Sequence, residues 1–399
     1  MNRFRNWIMT LGPGIITAAL VFGPSKMTIA TKLGANYGFA LLWLIAVAIF
    51  FMVIFTAMAA RIGTARDESL LSLIGQKWGK IPALLVGIGI FLVTACFQAG
   101  NSIGIGIALG ESTHTPTMPW TIAFTIIGIS LLFFQSFYKV LEKVMIALVT
   151  LMLTAFLTTM FILKPDPVKI IGGFAPVIPA GSMKLIVAFV ASTFSIVAAF
   201  YQAYLIQQRR KLNKLGSGTG SGSFTGIFIL GIMAAIIVIC AASVLQPRGI
   251  VVKSASDMAK SLEPLFGRHA AIFFLMGLFG GSFSALLGNA TVGGTLFADA
   301  LGYGRDLSSK KVKMLIAVVM IIGCCVAVTF GTLPLELIVF TQSVTIFLVP
   351  FIGLAMYTIA NDVIIMGKFV NNTWQKIFGG LGLAIVVGLA VTNIFELFK

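Results

Sequence analysis

Long apolar runs separated by short polar stretches fill almost the whole chain. A helix needs about 20 apolar residues to cross the hydrocarbon core of a bilayer. On that scale the pattern predicts eleven spans, at residues 11–36, 39–60, 82–109, 119–137, 143–163, 184–208, 225–245, 270–301, 313–332, 335–360 and 374–396. The longest loop, 246–269, is expected to hold a small amphipathic helix at residues 255–266.

Composition narrows the class of protein. Of 399 residues, 58% are hydrophobic and 10% are charged, whereas a soluble domain has about 25% charged residues. Disordered and nucleic-acid-binding chains need more charge still. We therefore expect an all-α polytopic membrane protein whose partner is the lipid bilayer, with no nucleic acid and no partner subunit, that is, a monomer.

The sequence shows few of the residue patterns that catalysis or metal binding requires. Both histidines, His114 and His269, fall in predicted loops, and the four cysteines lie in apolar runs without CxxC spacing. The chain shows no nucleophile with a nearby base and no nucleotide-binding loop, so we predict no catalytic residue, no metal site and no enzyme.

Basic residues predict the orientation in the membrane. The net charge of +16 comes from 28 Lys and Arg against 12 Asp and Glu. If the N-terminus is cytoplasmic and the spans alternate, 18 basic residues lie inside and 8 lie outside. The positive-inside rule then favours an N-in, C-out topology. The two basic residues left over, Lys26 and Lys32, lie within the first span.

Span 1 carries the strongest signal for a broken helix. Its middle reads Phe22-Gly23-Pro24-Ser25-Lys26, where Gly frees the backbone and Pro removes an amide donor. We expect an unwound segment here and a weaker break near Ser195 in span 6. Matching breaks indicate the binding site of an inverted-repeat transporter. We predict one transmembrane domain, 1–399, with repeats at about 11–163 and 184–360 and an extra helix at about 374–396.

Sequence motifs add a family resemblance. The relevant segments are Leu11-Gly-Pro-Gly-Ile15, residues 30–43, Leu278-Phe-Gly-Gly-Ser-Phe-Ser-Ala-Leu-Leu-Gly288 and Leu348-Val-Pro350. Together they resemble the natural resistance-associated macrophage protein (NRAMP) metal-ion transporters. The resemblance implies a LeuT-type 5+5 inverted repeat plus one helix, alternating access, and a prokaryotic cytoplasmic membrane.

The departures from that family concern its metal site. NRAMP transporters carry Asp-Pro-Gly-Asn in span 1 and Met-Pro-His-Asn in span 6. The corresponding residues here are Gly23-Pro24-Ser25-Lys26 and Ser195-Ile196-Val197-Ala198. Divalent cations need hard oxygen or imidazole ligands, usually with a carboxylate. Carrying metal binding over to these residues would therefore be wrong.

The altered site instead favours an anion. Two half-helices that begin near the bilayer centre would direct positive dipole ends and unpaired amides at one cavity. Lys26 adds a positive charge, and the Ser25 and Ser195 hydroxyls could donate hydrogen bonds. We predict a secondary active transporter that moves a small monovalent inorganic anion, with bicarbonate as the first choice and formate or nitrite still open.

Gating and coupling residues are suggested by position. Lys32 lies toward the outer end of span 1, Gln342 matches a family position near the occluded ion, and Ser282 and Ser284 lie where some LeuT-type transporters hold Na⁺. We expect no cofactor, and the coupling ion could be H⁺ or Na⁺. Gln98, Asn101, Gln202 and Asn289 are interpreted as interhelical hydrogen-bond residues.

Two other functions compete with anion transport. One is a divalent cation transporter of the same fold, of the Mg²⁺ type, because a hydrated ion needs fewer direct ligands. The missing carboxylate and Lys26 argue against it. The other is a transport-dead receptor or scaffold, which the polar groups in an apolar core argue against.

Overall fold

The computed structural model describes residues 23–133, 135–211, 221–331 and 334–397, which are helical apart from turns and connecting loops. The first half of predicted span 1 and its Leu11–Ile15 motif lie outside these residues. The described α-helices, in chain order, are α1 Pro24–Tyr37, α2 Leu42–Ala65, α3 Leu70–Trp78, α4 Lys80–Thr113, α5 Thr117–Leu131, α6 Gln135–Leu163, α7 Pro167–Gly172, α8 Met183–Thr193, α9 Ile196–Lys211, α10 Ser221–Val244, α11 Ala255–Ala259, α12 Glu263–Phe266, α13 Ala270–Ala300, α14 Lys310–Phe330, α15 Pro334–Thr345, α16 Val349–Ala360, α17 Val363–Met366 and α18 Thr373–Leu397. Three 3₁₀ turns, Lys260–Leu262, Gly267–His269 and Gly367–Phe369, complete the set.

Membrane-spanning segments dominate the described part of the chain. Eight helical segments there are long and apolar enough to cross a bilayer, and α15 with α16 forms a ninth that is bent by 40°. Helix α5 has only 15 residues, so it accounts for part of predicted span 4. The fold is all-α, while the count of eleven, the topology and the repeat boundaries remain predictions.

Burial separates a central helix pair from a peripheral helix. In the apolar window of Met183–Gln208, which joins α8 and α9, 83% of the residues are buried, against 28% in α18. Large apolar side chains are exposed along the outer helices, among them Leu85, Leu92, Phe161 and Leu381. An apolar exterior of this kind is what contact with lipid requires. Helices α8 and α9 therefore lie at the core, and α18 lies at the edge.

The chain between α8 and α9 leaves helical geometry at Phe194, whose φ of −73° and ψ of 38° end α8. Its ring packs on Phe51 and Phe55, with centroids 6.1 and 5.1 Å away. The Phe194 amide still donates to Val190 O, four residues back, as in a helix. On the other side of the interruption, the Ala199 amide donates to Ser195 O. A short interruption therefore separates two helices that remain nearly continuous.

Helix α1 starts at the residue pair that the sequence marks. Gly23 is extended, with φ −83° and ψ 178°, and Pro24 occupies the first turn. Proline suits that position because its missing N–H has no helical partner there. Ser25 and Lys26 belong to the first turn of α1, so these two residues are helical where an unwound segment was expected. The residues before Gly23 lie outside the described part of the chain, and the break itself remains a prediction.

The bend between α15 and α16 was not predicted. Residues 346–348 form turns, and Pro350 lies in the first turn of α16. Proline cannot donate the amide hydrogen bond that would continue α15. The sequence pattern alone gives one apolar run from 335 to 360, so it hides this bend.

Helices α4 and α13 form a closely packed scaffold beside the core pair. A Cβ on Gly293 would collide with the side chain of Thr94 in α4. Small residues at such crossings let two helix backbones approach closely. The close approach also brings Asn289 of α13 within hydrogen-bonding distance of Thr94 O, at 2.7 Å.

The predicted loop helix is present outside the spans of α10 and α13. It consists of α11, a 3₁₀ turn and α12. Glu111, at the end of α4, accepts hydrogen bonds from the amides of Ala255 and Ser256 at 2.9 and 2.8 Å. This carboxylate satisfies free amides at the start of α11 and fixes the loop to α4.

Candidate functional site

A cavity of about 330 Å³ lies among α1, α4, α8, α9, α13 and α15. Its walls come from the beginnings of α1 and α9, the middle of α4, the middle of α13 and one residue of α15. The lining residues are Gly23, Ser25, Lys26, Phe97, Asn101, Ser192, Ser195, Val197, Ala198, Tyr201, Gln202, Leu205, Ala285, Gly288, Asn289, Thr291, Val292 and Gln342.

The polar groups of this lining are carboxamides, hydroxyls and one ammonium, that of Lys26. No carboxylate, imidazole or thiol belongs to the lining drawn from the described residues. Across that same part of the chain, no three His, Cys, Asp or Glu residues are grouped so that they could hold a metal ion. The cavity wall is therefore mostly apolar, and the one charged group among its described lining residues is basic.

The first turn of α1 supplies Gly23, Ser25 and Lys26 to the wall. The Lys26 side chain is buried, with 7% of the residue exposed. Gln342 Nε2 donates a hydrogen bond to Ser25 Oγ at 3.0 Å, which ties α1 to α15. Because Ser25 accepts that bond, its own O–H remains able to donate to another group.

The start of α9 supplies Ser195, Val197 and Ala198 from the opposite side. The first amides of a helix have no partner within the helix, and they carry the positive end of its dipole. With α1 beginning at the same cavity, two helix N-termini face one space. That the two ends form a binding site remains a prediction, as do the individual roles of these residues.

Several predicted site residues lie outside the lining. Pro24 packs toward Gly104 of α4, and Ile196 packs toward Gly353 of α16. Adjacent residues in a helix point about 100° apart, so neighbours of lining residues turn away from the cavity. Ser282 is buried and donates to Leu278 O within its own helix at 2.6 Å, and Ser284 is also buried away from the cavity.

Lys32 lies beyond the cavity, on the predicted outer side. Its ammonium contacts Glu336 Oε1 at 2.5 Å, and Lys184 approaches the other carboxylate oxygen at 3.7 Å. These three side chains belong to α1, α15 and α8. The Lys32–Glu336–Lys184 cluster, called the outer cluster below, therefore joins the three helices that bound one end of the site.

Sequence reasoning missed part of the lining. Asn101, Gln202 and Asn289 were interpreted as interhelical hydrogen-bond residues, and all three also line the cavity, as do Tyr201 and Thr291. The interpretation holds for Gln98, whose Nε2 donates to Leu286 O at 3.0 Å, and for Asn289, whose Nδ2 donates to Thr94 O at 2.7 Å. A carboxamide within a span is costly wherever it lies, so the sequence signal existed but did not distinguish the two roles.

A second polar network lies on the predicted cytoplasmic side. Tyr204 OH donates to Asp299 Oδ2 at 2.6 Å, so Asp299 connects the end of α13 to α9. Arg305 lies over the Tyr204 ring at 5.4 Å and donates to Asp67 O at 3.1 Å. These contacts hold α9, α13 and the loop after α2 together below the cavity.

Comparison with known families gives one match over nearly the whole chain. The family described as natural resistance-associated macrophage protein-like matches residues 14–396. A curated relative, the divalent metal cation transporter MntH of Deinococcus radiodurans, is 23% identical over 409 residues, which cover 97% of this chain and 89% of the relative.

Solved structures agree on the architecture. A mutant of the Eremococcus coleocola manganese transporter superposes with a TM-score of 0.71 at 18% identity, covering 98% of this chain and 87% of the other. The nucleobase-cation-symport-1 family transporter Mhp1, closed on bromovinylhydantoin, gives a TM-score of 0.63 at 11% identity, with 97% and 92% covered. At these identities the likeness concerns the fold alone, a LeuT-type helical fold.

Proposed function

The chain belongs to the natural resistance-associated macrophage protein-like family, and we propose that it moves a small monovalent anion, bicarbonate as the first choice, through the cavity at the start of α1 and α9. Membership makes it an integral membrane secondary transporter and not an enzyme. The observation that carries the anion proposal is Lys26, buried in a cavity whose described lining has no carboxylate.

Charge decides between an anion and a cation in such a cavity. A divalent cation about 4 Å from an ammonium is repelled by about 8 kcal/mol at an effective dielectric constant of about 20. The two helix N-termini add to that repulsion, since each carries about half a positive charge. The same groups attract an anion, and helix N-termini are common anion sites.

Hydrogen-bond donors supply the remaining support. The Ser25 hydroxyl already accepts from Gln342, which orients its own proton toward other acceptors, including an anion in the cavity. Ser195 lines the same cavity at the start of α9. An oxyanion with two or three oxygens could accept from both hydroxyls and from backbone amides.

A divalent metal cation is the second candidate, and the known relatives favour it over the anion. The curated relatives carry the name divalent metal cation transporter, and the structural neighbour is a manganese transporter. Carboxamide oxygens of the lining, such as that of Asn101, would have to replace the missing carboxylate. A hydrated ion of the Mg²⁺ type fits this candidate better than a dehydrated one, because it needs fewer direct ligands.

The coupling ion is proposed to be H⁺ or Na⁺. Ser282 and Ser284, suggested for Na⁺ by fold analogy, lie in α13 behind the cavity. The relevant test is whether transport follows an imposed gradient of pH or of Na⁺.

Reconstituted protein tests the substrate directly. Proteoliposomes at pH 8 should take up labelled bicarbonate and should take up neither Mn²⁺ nor Mg²⁺. Tracer uptake is measured because 1:1 symport of the anion with H⁺ or Na⁺ carries no net charge. Lys26→Ala should reduce the bicarbonate uptake at least tenfold, since the buried charge that attracts the anion is lost.

Lys169→Ala is the matched control, because it removes one positive charge from an exposed position on the short helix α7. It should leave the bicarbonate uptake unchanged. Saturable Mn²⁺ or Mg²⁺ uptake that survives Lys26→Ala would overturn the anion proposal in favour of the cation. Failure to move any ion under any gradient would instead favour a receptor or scaffold.

A further inference from the structure

Asn289 belongs to a hydrogen-bonded chain between α13 and α4. Its Nδ2 donates to Thr94 O at 2.7 Å and to Gln98 Oε1 at 3.1 Å. Gln98 Nε2 in turn donates to Leu286 O at 3.0 Å. The chain therefore begins and ends on backbone carbonyl groups.

Those carbonyl groups fix which atom of Asn289 faces where. A backbone carbonyl only accepts, so the side-chain atom beside Thr94 O must be the Asn289 nitrogen. The atom of Gln98 beside Leu286 O must likewise be its nitrogen, which leaves Gln98 Oε1 to accept the second Asn289 proton. Both N–H groups of Asn289 are thereby used, and no described residue donates to its Oδ1.

Asn289 lines the cavity close to the start of α1. A Cβ on Gly23 would lie 3.1 Å from the Ala285 Cβ, so α13 touches α1 at that point. Asn289 is one helical turn beyond Ala285, about 6 Å along α13, and both residues line the cavity, as does Lys26. Asn289 and Lys26 therefore line one cavity of about 330 Å³.

We propose that Asn289 Oδ1 makes the site selective for oxyanions that carry a hydroxyl proton, the class to which bicarbonate belongs. This inference rests on the proposed anion transport. The negative oxygens of such an ion would accept from Ser25 and the helix amides, and its O–H would donate to Asn289. Nitrate and formate have similar size and charge but no O–H, so they cannot donate to Asn289 Oδ1. A site built to pair with a substrate hydroxyl discriminates strongly against analogues without one.

Competition for the uptake of labelled bicarbonate tests the selectivity. At pH 8 the concentrations of nitrate and of formate that halve this uptake should each be at least tenfold higher than the concentration of unlabelled bicarbonate that does so. In Asn289→Leu the bicarbonate KM should rise about tenfold, while the inhibition constant of nitrate should change little. The ratio of the two constants should therefore approach one, which a loss of packing alone would not cause.

Two further variants serve as an alternative and as a control for this test. Gln98→Leu combined with Asn289→Leu removes both partners and strands no carboxamide, so it keeps the test possible if Asn289→Leu does not fold. Thr295→Val is the control: Thr295 is buried in α13 outside the lining, and its hydroxyl has no partner among the described residues. It should change neither constant.

Each outcome has a definite meaning. Equal affinity for bicarbonate and nitrate in the unaltered protein would overturn the role of Asn289 and leave anion transport standing. Metal uptake without any bicarbonate uptake would overturn the proposed function itself. An unchanged ratio in both leucine variants would also overturn the role of Asn289.

Discussion

Ser25 joins the fold to the site through a single hydroxyl group. It is 7% exposed, accepts from Gln342 Nε2 at 3.0 Å and lines the cavity. Its role as acceptor toward α15 makes its proton available to a substrate. One atom therefore positions α15 against α1 and offers a donor to the ion.

Ser25→Ala should raise the KM for the transported anion about fivefold to tenfold. The change removes one donor to the ion, an effect worth about 1 to 1.4 kcal/mol on binding. The KM is measured from the concentration dependence of labelled bicarbonate uptake. Ser343→Ala is the control, because Ser343 is buried on α15 but donates to Val339 O in its own helix. A KM that stays constant in Ser25→Ala, or rises equally in Ser343→Ala, would contradict the role of Ser25.

At the scale of residues, the sequence indicated which charged and hydroxyl side chains belong to the candidate site. It did not indicate which carboxamide side chains do. Lys26 was identifiable because a charge within a span has few structural uses. Asn289 and Gln98 look alike in sequence, since both are amides in apolar helices. Which of them faces a cavity depends on how α13 rotates against α4, and that rotation follows from the contact of Gly293 with Thr94.

At the scale of helices, the outer cluster connects three elements that must separate if the cavity is to open outward. Lys32 lies six residues beyond Lys26, about 9 Å along α1. Its partner Glu336 stands at the start of α15, and Lys184 stands at the start of α8. We propose that this cluster holds the outer end of the site closed, in line with the gating role predicted for Lys32.

Glu336→Gln should favour the outward-open state about fivefold, because it removes the charge that both lysines share, worth about 1 kcal/mol for a partly exposed pair. The measurement uses Ala198→Cys in a protein whose native cysteines have been replaced. With Glu336→Gln, this cysteine should react faster with a membrane-impermeant thiol reagent added outside than it does with Glu336 in place. Glu263→Gln, which breaks the exposed pair with Arg248, should leave the rate unchanged. Equal rates in both variants would exclude the cluster as a gate.

The sequence predicted helix positions better than helix interruptions. Spans 3 and 8, predicted at 82–109 and 270–301, correspond to α4 and α13 within a few residues. The start of α1 followed from Gly23 and Pro24. The bend before α16 did not, because hydropathy averages over a window longer than the three-residue turn at 346–348.

At the scale of the whole molecule, contacts between distant residues agree with the predicted topology. Lys77 contacts Asp362 Oδ2 at 2.5 Å, and Arg66 donates to Ile365 O at 2.6 Å. All four were predicted to be cytoplasmic. The outer cluster joins three residues that were predicted to lie at the outer ends of their spans. Residues on opposite faces of a bilayer would lie about 30 Å apart, so these contacts constrain which loops share a side.

Reporter fusions test that topology. A fusion of alkaline phosphatase after residue 399 should be active, because that enzyme folds only outside the cytoplasm, and a fusion of green fluorescent protein there should stay dark. Truncation before α18, at residue 372, removes one crossing and should reverse both signals. We expect these signals because the N-in, C-out topology places 18 basic residues on the cytoplasmic side and 8 outside, as the positive-inside rule favours. Fluorescence at residue 399 would contradict the N-in, C-out arrangement. It would also place the outer cluster on the cytoplasmic side, so that Glu336→Gln would then open the cavity inward.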